Sequence, residues 1–239
     1  ERLTAGKLWW NLLHLPRMIG GSSAAYKLYT NITYGQVTLV NLRTAELAKL
    51  IENAYRYEKI DFANCLALRC QNLPDADVWK TLDILNNQLG LDIPNPGASI
   101  GGYCLEKDYE FLGLEWFYNE DYEASLSYLI ACYLGDDNTI FLGEAYKANV
   151  SDTRNSPARI IASQMLADGH LGQYQILDVT TDIPACGVLV IVQPHLIYRS
   201  IDWPNVQAKT VIDLCGFFQR DMPLPEAREW EYVCLGVNK

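Results

Sequence analysis

The sequence predicts a mixed α and α/β protein, in which an all-helical region on a long central helix precedes a small α/β region built on a parallel sheet. The helical part is predicted by residues 43–73, which run without glycine or proline while Leu47, Leu50, Ile51, Ala54 and Ile60 recur near helical spacing. The α/β part is predicted by short apolar runs at 139–143, 187–192, 210–213 and 232–236, separated by loops and a helix. Between the two, Gly135-Asp136-Asp137-Asn138 reads as a turn cluster and is taken as a domain boundary.

In chain order, residues 1–40 are mixed and read as a linker, with Pro16 a breaker and Gly20-Gly21-Ser22-Ser23 a loop. Thr44 reads as the N-cap of the long helix. A helix of about 30 residues is long for a globular protein and marks a central spine or an oligomer contact. Pro74 ends it, and Asp77 caps a second helix with Val78, Leu82 and Leu85 as its apolar stripe. Residues 90–102 hold four glycines with Pro94 and Pro96 and read as an irregular loop, followed by helices at 105–118 and 122–133. Further on, Ser156-Pro157 opens a helix with serine as cap and proline in the first helical position. The expected divisions are 1–40, 41–134 and 135–239.

Composition narrows the function. The 239 residues carry 19 basic and 29 acidic side chains, a net charge of −10. That balance argues against a general nucleic-acid or anionic-membrane binder, since both need a basic face. The longest purely apolar run, 128–134, is far short of the roughly 20 residues that span a bilayer. No basic segment leads into an apolar stretch, so no signal peptide is expected. The first residue is Glu1, which points to a missing upstream portion. Seven cysteines (Cys65, Cys70, Cys104, Cys132, Cys186, Cys215, Cys234) form no C-x-x-C, and His14, His170 and His195 are far apart. Neither a metal site nor a disulfide framework is expected, and the protein reads as reduced and cytoplasmic. Six of the cysteines read as packing; Cys104 is the exception.

Three sets of residues can carry chemistry. The first is Pro96-Gly97-Ala98-Ser99-Ile100-Gly101-Gly102-Tyr103-Cys104-Leu105-Glu106-Lys107-Asp108. Its glycines let backbone amides approach a ligand, and a cysteine at a helix start has its thiolate favoured by the dipole and by Lys107. Asp108 lies four residues on, on the same helical face, so thiol, cation and carboxylate share one turn. A buried cysteine beside a solvated charge pair is the plainer alternative. The second set is Lys49 and Asn53, four apart on the long helix, suited to an oxyanion and a water, or simply the wet side of that helix. The third is the segment 145–157 after the first strand of the α/β part, where Lys147 and Arg154 can meet phosphates before a helix N-terminus.

Together these sets resemble, in order and content, the UDP-glucose/GDP-mannose dehydrogenase family of nucleotide-sugar 6-dehydrogenases. The matching pieces are Glu1-Arg2-Leu3 with Gly6, the run Leu42-Arg43-Thr44-Ala45-Glu46-Leu47-Ala48-Lys49-Leu50-Ile51-Glu52-Asn53-Ala54-Tyr55, Gly101-Gly102-x-Cys104-x-x-Lys107-Asp108, and Tyr146-Lys147 with Asp152-Thr153-Arg154. The match covers roughly the first 160 residues. The resemblance implies a helical dimerisation domain on a long spine, then a Rossmann-like α/β domain that binds the UDP-sugar, preceded by an NAD-binding domain. No G-x-G-x-x-G occurs in this chain, so NAD would be held mainly by that absent domain.

The resemblance also implies roles. Cys104 would add to the C6 aldehyde, giving a thiohemiacetal and then a thioester. Lys49 would stabilise the oxyanion, Asn53 and Asp108 would place water, and Glu1 would help with proton transfer. Asn95, Gly97, Ser99, Ile100 and Gly101 would contact the sugar nucleotide through the backbone, with Tyr146 and Lys147 at its nucleotide part. Arg154 and Lys107 would face the cofactor. A homodimer through the 43–73 helix is implied, as is a role in polysaccharide biosynthesis. The chain departs from the family pattern at Ala5, Gly90, Tyr103 and Asp213-Leu214-Cys215, and segments 109–137 and 173–188 are short for it. A dimerising relative that binds a nucleotide sugar without oxidising it is the alternative reading.

Overall fold

The computed structural model describes residues 8–114, 119–135 and 137–238. The first part folds as α1 (Leu8–His14), β1 (Arg17–Gly20), α2 (Ser23–Ile32) and β2 (Val37–Val40), with β1 and β2 paired in parallel from Arg17–Val37 to Gly20–Val40. The Gly20-Gly21 loop is the turn into α2, and the Ser22 hydroxyl caps that helix by accepting from the Ala25 amide at 3.2 Å. Glu1, Ala5 and Gly6 lie outside the described residues.

The long helix α3 (Leu42–Gln71) spans 30 residues. Its cap is Asn41, whose Oδ1 accepts from the Thr44 amide at 2.8 Å. Thr44, expected to be the cap, is therefore the capped residue three positions on. Two apolar residues that marked the helix, Leu47 and Ile51, stay half exposed and continue through Tyr55 and Phe62 as an uncovered stripe. The buried face is instead formed by small and polar residues, including Asn53, Ala54, Tyr57, Asp61 and Asn64.

Helix α4 (Val78–Leu89) begins at Asp77, which accepts from the Lys80 amide at 3.1 Å, and buries Val78, Trp79 and Leu82. Helix α5 (Cys104–Phe111) is shorter than expected, because Leu112 caps it and Gly113 turns the chain at φ 69°. Residues 115–118 lie outside the described residues, and α6 (Asn119–Ala131) follows.

The second sheet has the order β4-β3-β5-β6-β7, all parallel, from β3 (Thr139–Leu142), β4 (Tyr174–Leu177), β5 (Cys186–Ile191), β6 (Ala208–Asp213) and β7 (Glu231–Cys234). Every residue of β3 and β5 is buried, as in parallel sheets covered on both faces. Helix α7 (Pro157–Ala167) lies between β3 and β4, with Ser156 accepting from the Arg159 amide at 3.3 Å, and the short α8 (Phe217–Arg220) lies between β6 and β7.

One core joins helices and sheet: Trp79, Leu82, Leu126 and Ile130 pack with Phe141, Ile161, Val190 and Ile212. The seam is closed by hydrogen bonds from Trp79 Nε1 to the Leu235 carbonyl (2.8 Å), from the Val78 amide to the Gly236 carbonyl (2.9 Å) and from the Gly236 amide to Gln71 Oε1 (2.8 Å). Asp213, fully buried at the end of β6, accepts from the amides of Cys215 (3.2 Å), Phe217 and Phe218 (3.0 Å each) and from the Tyr232 hydroxyl (3.0 Å). Cys186, Cys215 and Cys234 are buried as expected, whereas Cys132, at the end of α6, is exposed.

Candidate functional site

The helical register that placed Lys49 and Asn53 on one face of α3 also aims them at α5. Lys49 Nζ donates to Asn53 Oδ1 at 3.0 Å, and Asn53 Nδ2 donates to Asp108 Oδ2 at 2.5 Å. Lys107 Nζ pairs with the other oxygen of Asp108. Asn53 and Asp108 are both buried, whereas Lys49 remains half exposed and also meets Glu52 at 3.5 Å. Burial alone would raise the Asp108 pKa. Hydrogen bonds from Lys107 and Asn53, with the charges of Lys107 and Lys49, outweigh it and hold the carboxyl below the ordinary carboxylate range.

Cys104 is the first residue of α5, exposed, one turn before Asp108. Lys107 and Arg154 both lie near the thiol. Arg154 is itself held by Asp152 through its amide, Nε and Nη2, the last at 2.6 Å, which pulls Asp152 down to about 2.

The glycines before Cys104 are required by packing within the protein. A Cβ at Gly101 would stand 2.8 Å from the Asn155 carbonyl and 2.9 Å from Tyr146 Cβ, and one at Gly102 would stand 3.0 Å from the Tyr146 ring. They let the cysteine turn dock on the 146–157 segment. The Gly102 amide bonds the Arg154 carbonyl at 3.2 Å, and Asn155 Nδ2 donates to the Gly102 carbonyl at 3.1 Å and to Glu106. Burial, with Glu123 and Glu110 nearby, pushes Glu106 up to about 7 against the pull of Asn155. Neither Glu106 nor Asn155 stood out in the sequence; they are 49 residues apart and share no motif.

Along the 95–101 loop, Gly97 is the open position. Its amide donates to Asn64 Oδ1 at 3.0 Å and its carbonyl accepts from the Tyr122 hydroxyl at 2.5 Å. The Ser99 hydroxyl is bonded to Glu123, and the Ile100 side chain is buried against Ala54, Tyr57 and Tyr109, so Ile100 can offer only its backbone. Asn95 presents its carboxamide oxygen to Arg220, which reaches it from α8 with both Nη atoms at 3.1 Å. Tyr146 is half-buried and Lys147 exposed. Thus Cys104, Lys49, Asn53, Asp108, Lys107, Tyr146 and Arg154 come together.

This combination has counterparts. Residues 43–129 match the model of the UDP-glucose/GDP-mannose dehydrogenase family, central domain. A UDP-N-acetyl-D-mannosamine dehydrogenase of Methanococcus maripaludis is 30% identical over 260 residues, covering 93% of this chain and 60% of the relative. An NDP-N-acetyl-D-galactosaminuronic acid dehydrogenase of Ralstonia nicotianae is 27% identical over 91% of this chain and 60% of its own length. The solved structure of the UDP-D-ManNAc dehydrogenase from Pyrococcus horikoshii superposes with a TM-score of 0.81 at 25% identity, over 99% of this chain and 63% of that one. The chain carries, over residues 43–129, the central domain of the UDP-glucose/GDP-mannose dehydrogenase family. It spans about 60% of the length of the curated relatives of that family.

The family resemblance implies NAD, and the turn from β1 into α2 has the order strand, Gly20-Gly21, helix. It does not fit the cofactor. A Cβ at Gly20 would meet Ala45 Cβ at 3.0 Å and the Leu42 Cα at 3.2 Å, so α3 fills the space a pyrophosphate would need. Among the described residues no group of three His, Cys, Asp or Glu side chains is placed to hold a metal ion, and no helix is long and apolar enough to cross a membrane.

Proposed function

We propose that this chain carries the thiol and substrate-binding part of an NAD-dependent, cytoplasmic nucleotide-sugar 6-dehydrogenase, which oxidises the C6 alcohol of a UDP-sugar to a uronic acid. The names of the relatives favour an N-acetylated hexosamine, a precursor for polysaccharide. NAD, when bound, would accept the two hydrides lost as the alcohol becomes an aldehyde and the thiohemiacetal becomes a thioester. The observation that carries the reading is the continuous chain Lys49–Asn53–Asp108–Lys107 ending one turn from an exposed Cys104.

In this reading the Cys104 thiolate adds to an aldehyde carbon, and the carbonyl electron pair moves to oxygen beside the ammonium of Lys49. At the thioester stage a water oxygen bonds to the acyl carbon, the C–S bond breaks and the thiolate leaves. Asp108 is held ionised and is therefore a weak base; with Asn53 it orients the water, and the proton passes to solvent. Tyr146 and Lys147 bind the nucleotide, and Arg154 faces the cofactor side. UDP-N-acetylmannosamine is expected to slow iodoacetamide labelling of Cys104 at least several-fold while leaving Cys132 unaffected, measured by peptide mass spectrometry. Equal labelling of Cys104 with and without saturating ligand would sink the reading.

The alternative, binding without oxidation, is favoured by Gly90 and by the buried Cys215, two of the positions at which the chain departs from the pattern it resembles. We further propose a homodimer through the Leu47, Ile51, Tyr55 and Phe62 stripe of α3, which is too apolar to face water comfortably. Sedimentation should show a dimer at micromolar concentration, and Ile51→Glu should return it to monomer.

A further inference from the structure

We propose that His195 is a positioning residue for the loop that bears Tyr146 and Lys147, holding it as a neutral imidazole wedged between Asp178 and the Asn149 amide. The proposal rests on the reading that this loop meets the nucleotide. The loop leaves β3 at Gly143, and its first half is packed, with Ala145 buried and Tyr146 against the cysteine turn. A cavity of about 500 Å³ opens between Asn149, Val150 and Ser151 on one side and Val179, His195 and Ile197 on the other. Hydrogen bonds hold the loop along its length and, over this cavity, take the place of packing.

Those bonds come from the residues that follow β4 and β5. Asp178 Oδ1 accepts from the amides of Glu144 (2.9 Å) and Ala145 (3.2 Å), and Gln193 Nε2 donates to the Tyr146 carbonyl at 3.2 Å. At the far end Asn149 turns the chain at φ 62°, a left-handed conformation that asparagine tolerates. Its amide donates to His195 Nδ1 at 3.1 Å, while its own Oδ1 accepts from the Leu196 amide at 2.8 Å. Because a backbone N–H points at Nδ1, that nitrogen is bare and the imidazole proton sits on Nε2, which faces Asp178 Oδ1 at 3.2 Å. That carboxylate oxygen anchors the start of the loop directly, while its end hangs on the imidazole, whose Nε2 stands against the same oxygen without hydrogen-bond geometry. The ring is buried and packs edge-on against Tyr198, whose hydroxyl donates to the Asp178 carbonyl at 2.6 Å.

A second proton on the ring would set N–H against N–H at Asn149 and release the loop. The groups facing the ring are Asp178 and Tyr198, with the uncharged Asn149 and Ser151 on the loop side. Burial pushes the His195 pKa down from the usual histidine value, against the opposing pull of Asp178. The neutral, loop-holding form is therefore complete at about pH 6.5 and above, and is lost only as the pH falls through the lowered native value.

The test uses the full chain, with UDP as the probe, in titration calorimetry and amide hydrogen exchange. His195→Leu is expected to weaken UDP binding about tenfold, the worth of one hydrogen bond, and to speed Asn149 exchange about as much. His195→Gln offers an acceptor to Asn149 and a donor to Asp178, and should restore both to near wild type. It should also remove the part of the affinity loss between pH 7 and 5 that belongs to the imidazole. A folded His195→Leu protein with wild-type UDP affinity and Asn149 protection overturns the proposal, as does His195→Gln behaving like His195→Leu. If His195→Leu fails to fold, an unchanged pH dependence in His195→Gln overturns it. Should the wild type bind no UDP, the nucleotide reading fails, and Asn149 exchange alone decides the role of His195.

Discussion

Two buried aspartates show how the same side chain is used for opposite ends in this fold. Asp108 lies between helices and is surrounded by side chains: Asn53 on one oxygen, Lys107 on the other, Lys49 beyond. Asp213 lies at the end of a central strand and is surrounded by backbone: three amides of the turn into α8, with the Tyr232 hydroxyl added. The first environment keeps the carboxyl below its ordinary pKa. In the second, complete burial pushes the pKa up even though every donor pulls it down. A carboxylate ringed by mobile cations can meet a ligand; one ringed by fixed amides holds a turn.

The largest effect should come from breaking the backbone-ringed site. Asp213→Asn places an amide NH₂ where two donors already arrive, and should destabilise the protein by about 2–4 kcal/mol in urea unfolding, as a buried network left unsatisfied does. A change below 1 kcal/mol (roughly one exposed hydrogen bond) would mean the turn is held by packing of Phe217 and Phe218 instead. A smaller effect of different shape is expected from Asp108→Asn. Because the native Asp108 pKa is lowered, its contribution is present above the unfolded value of about 3.9 and is lost as pH falls through the native value. Urea midpoints followed from pH 6 to pH 3 should therefore fall less steeply in the variant. Asp213 carries the reverse sign, its contribution being present below about 3.9 and lost as pH rises through its raised native value. If both variants flatten the same limb, the contrast between the two sites is wrong.

Much of this was legible in local sequence. Asp77 and Ser156-Pro157 announce their helices because a cap is a three-residue event, and β3 and β5 are nearly unbroken apolar runs. The edge strand β4 was not legible: Tyr174-Gln175-Ile176-Leu177 is half exposed and lacks the apolar run of its neighbours. The pair β1–β2 escaped because four residues of Arg-Met-Ile-Gly and of Val-Thr-Leu-Val carry no alternation long enough to read. In the site, the i, i+4 pairs Lys49–Asn53 and Cys104–Asp108 follow from helical spacing. The Asn53–Asp108 bond joins residues 55 apart, and no spacing rule reaches that far. The glycines at 101 and 102 were visible, but their contact with Tyr146 and Asn155 was not, since a glycine needed for protein contact and one needed for a ligand look alike in sequence.

The seam at Trp79 has a consequence for how the molecule comes apart. Its indole and the Leu235 carbonyl are separated by 156 residues of chain, so this contact closes a loop that holds most of the sheet. Formation of the last strand is thereby tied to the helices, and a fluctuation that frays β7 also uncovers Val78 and Trp79. Helices and sheet form one cooperative unit, ordered late and lost together.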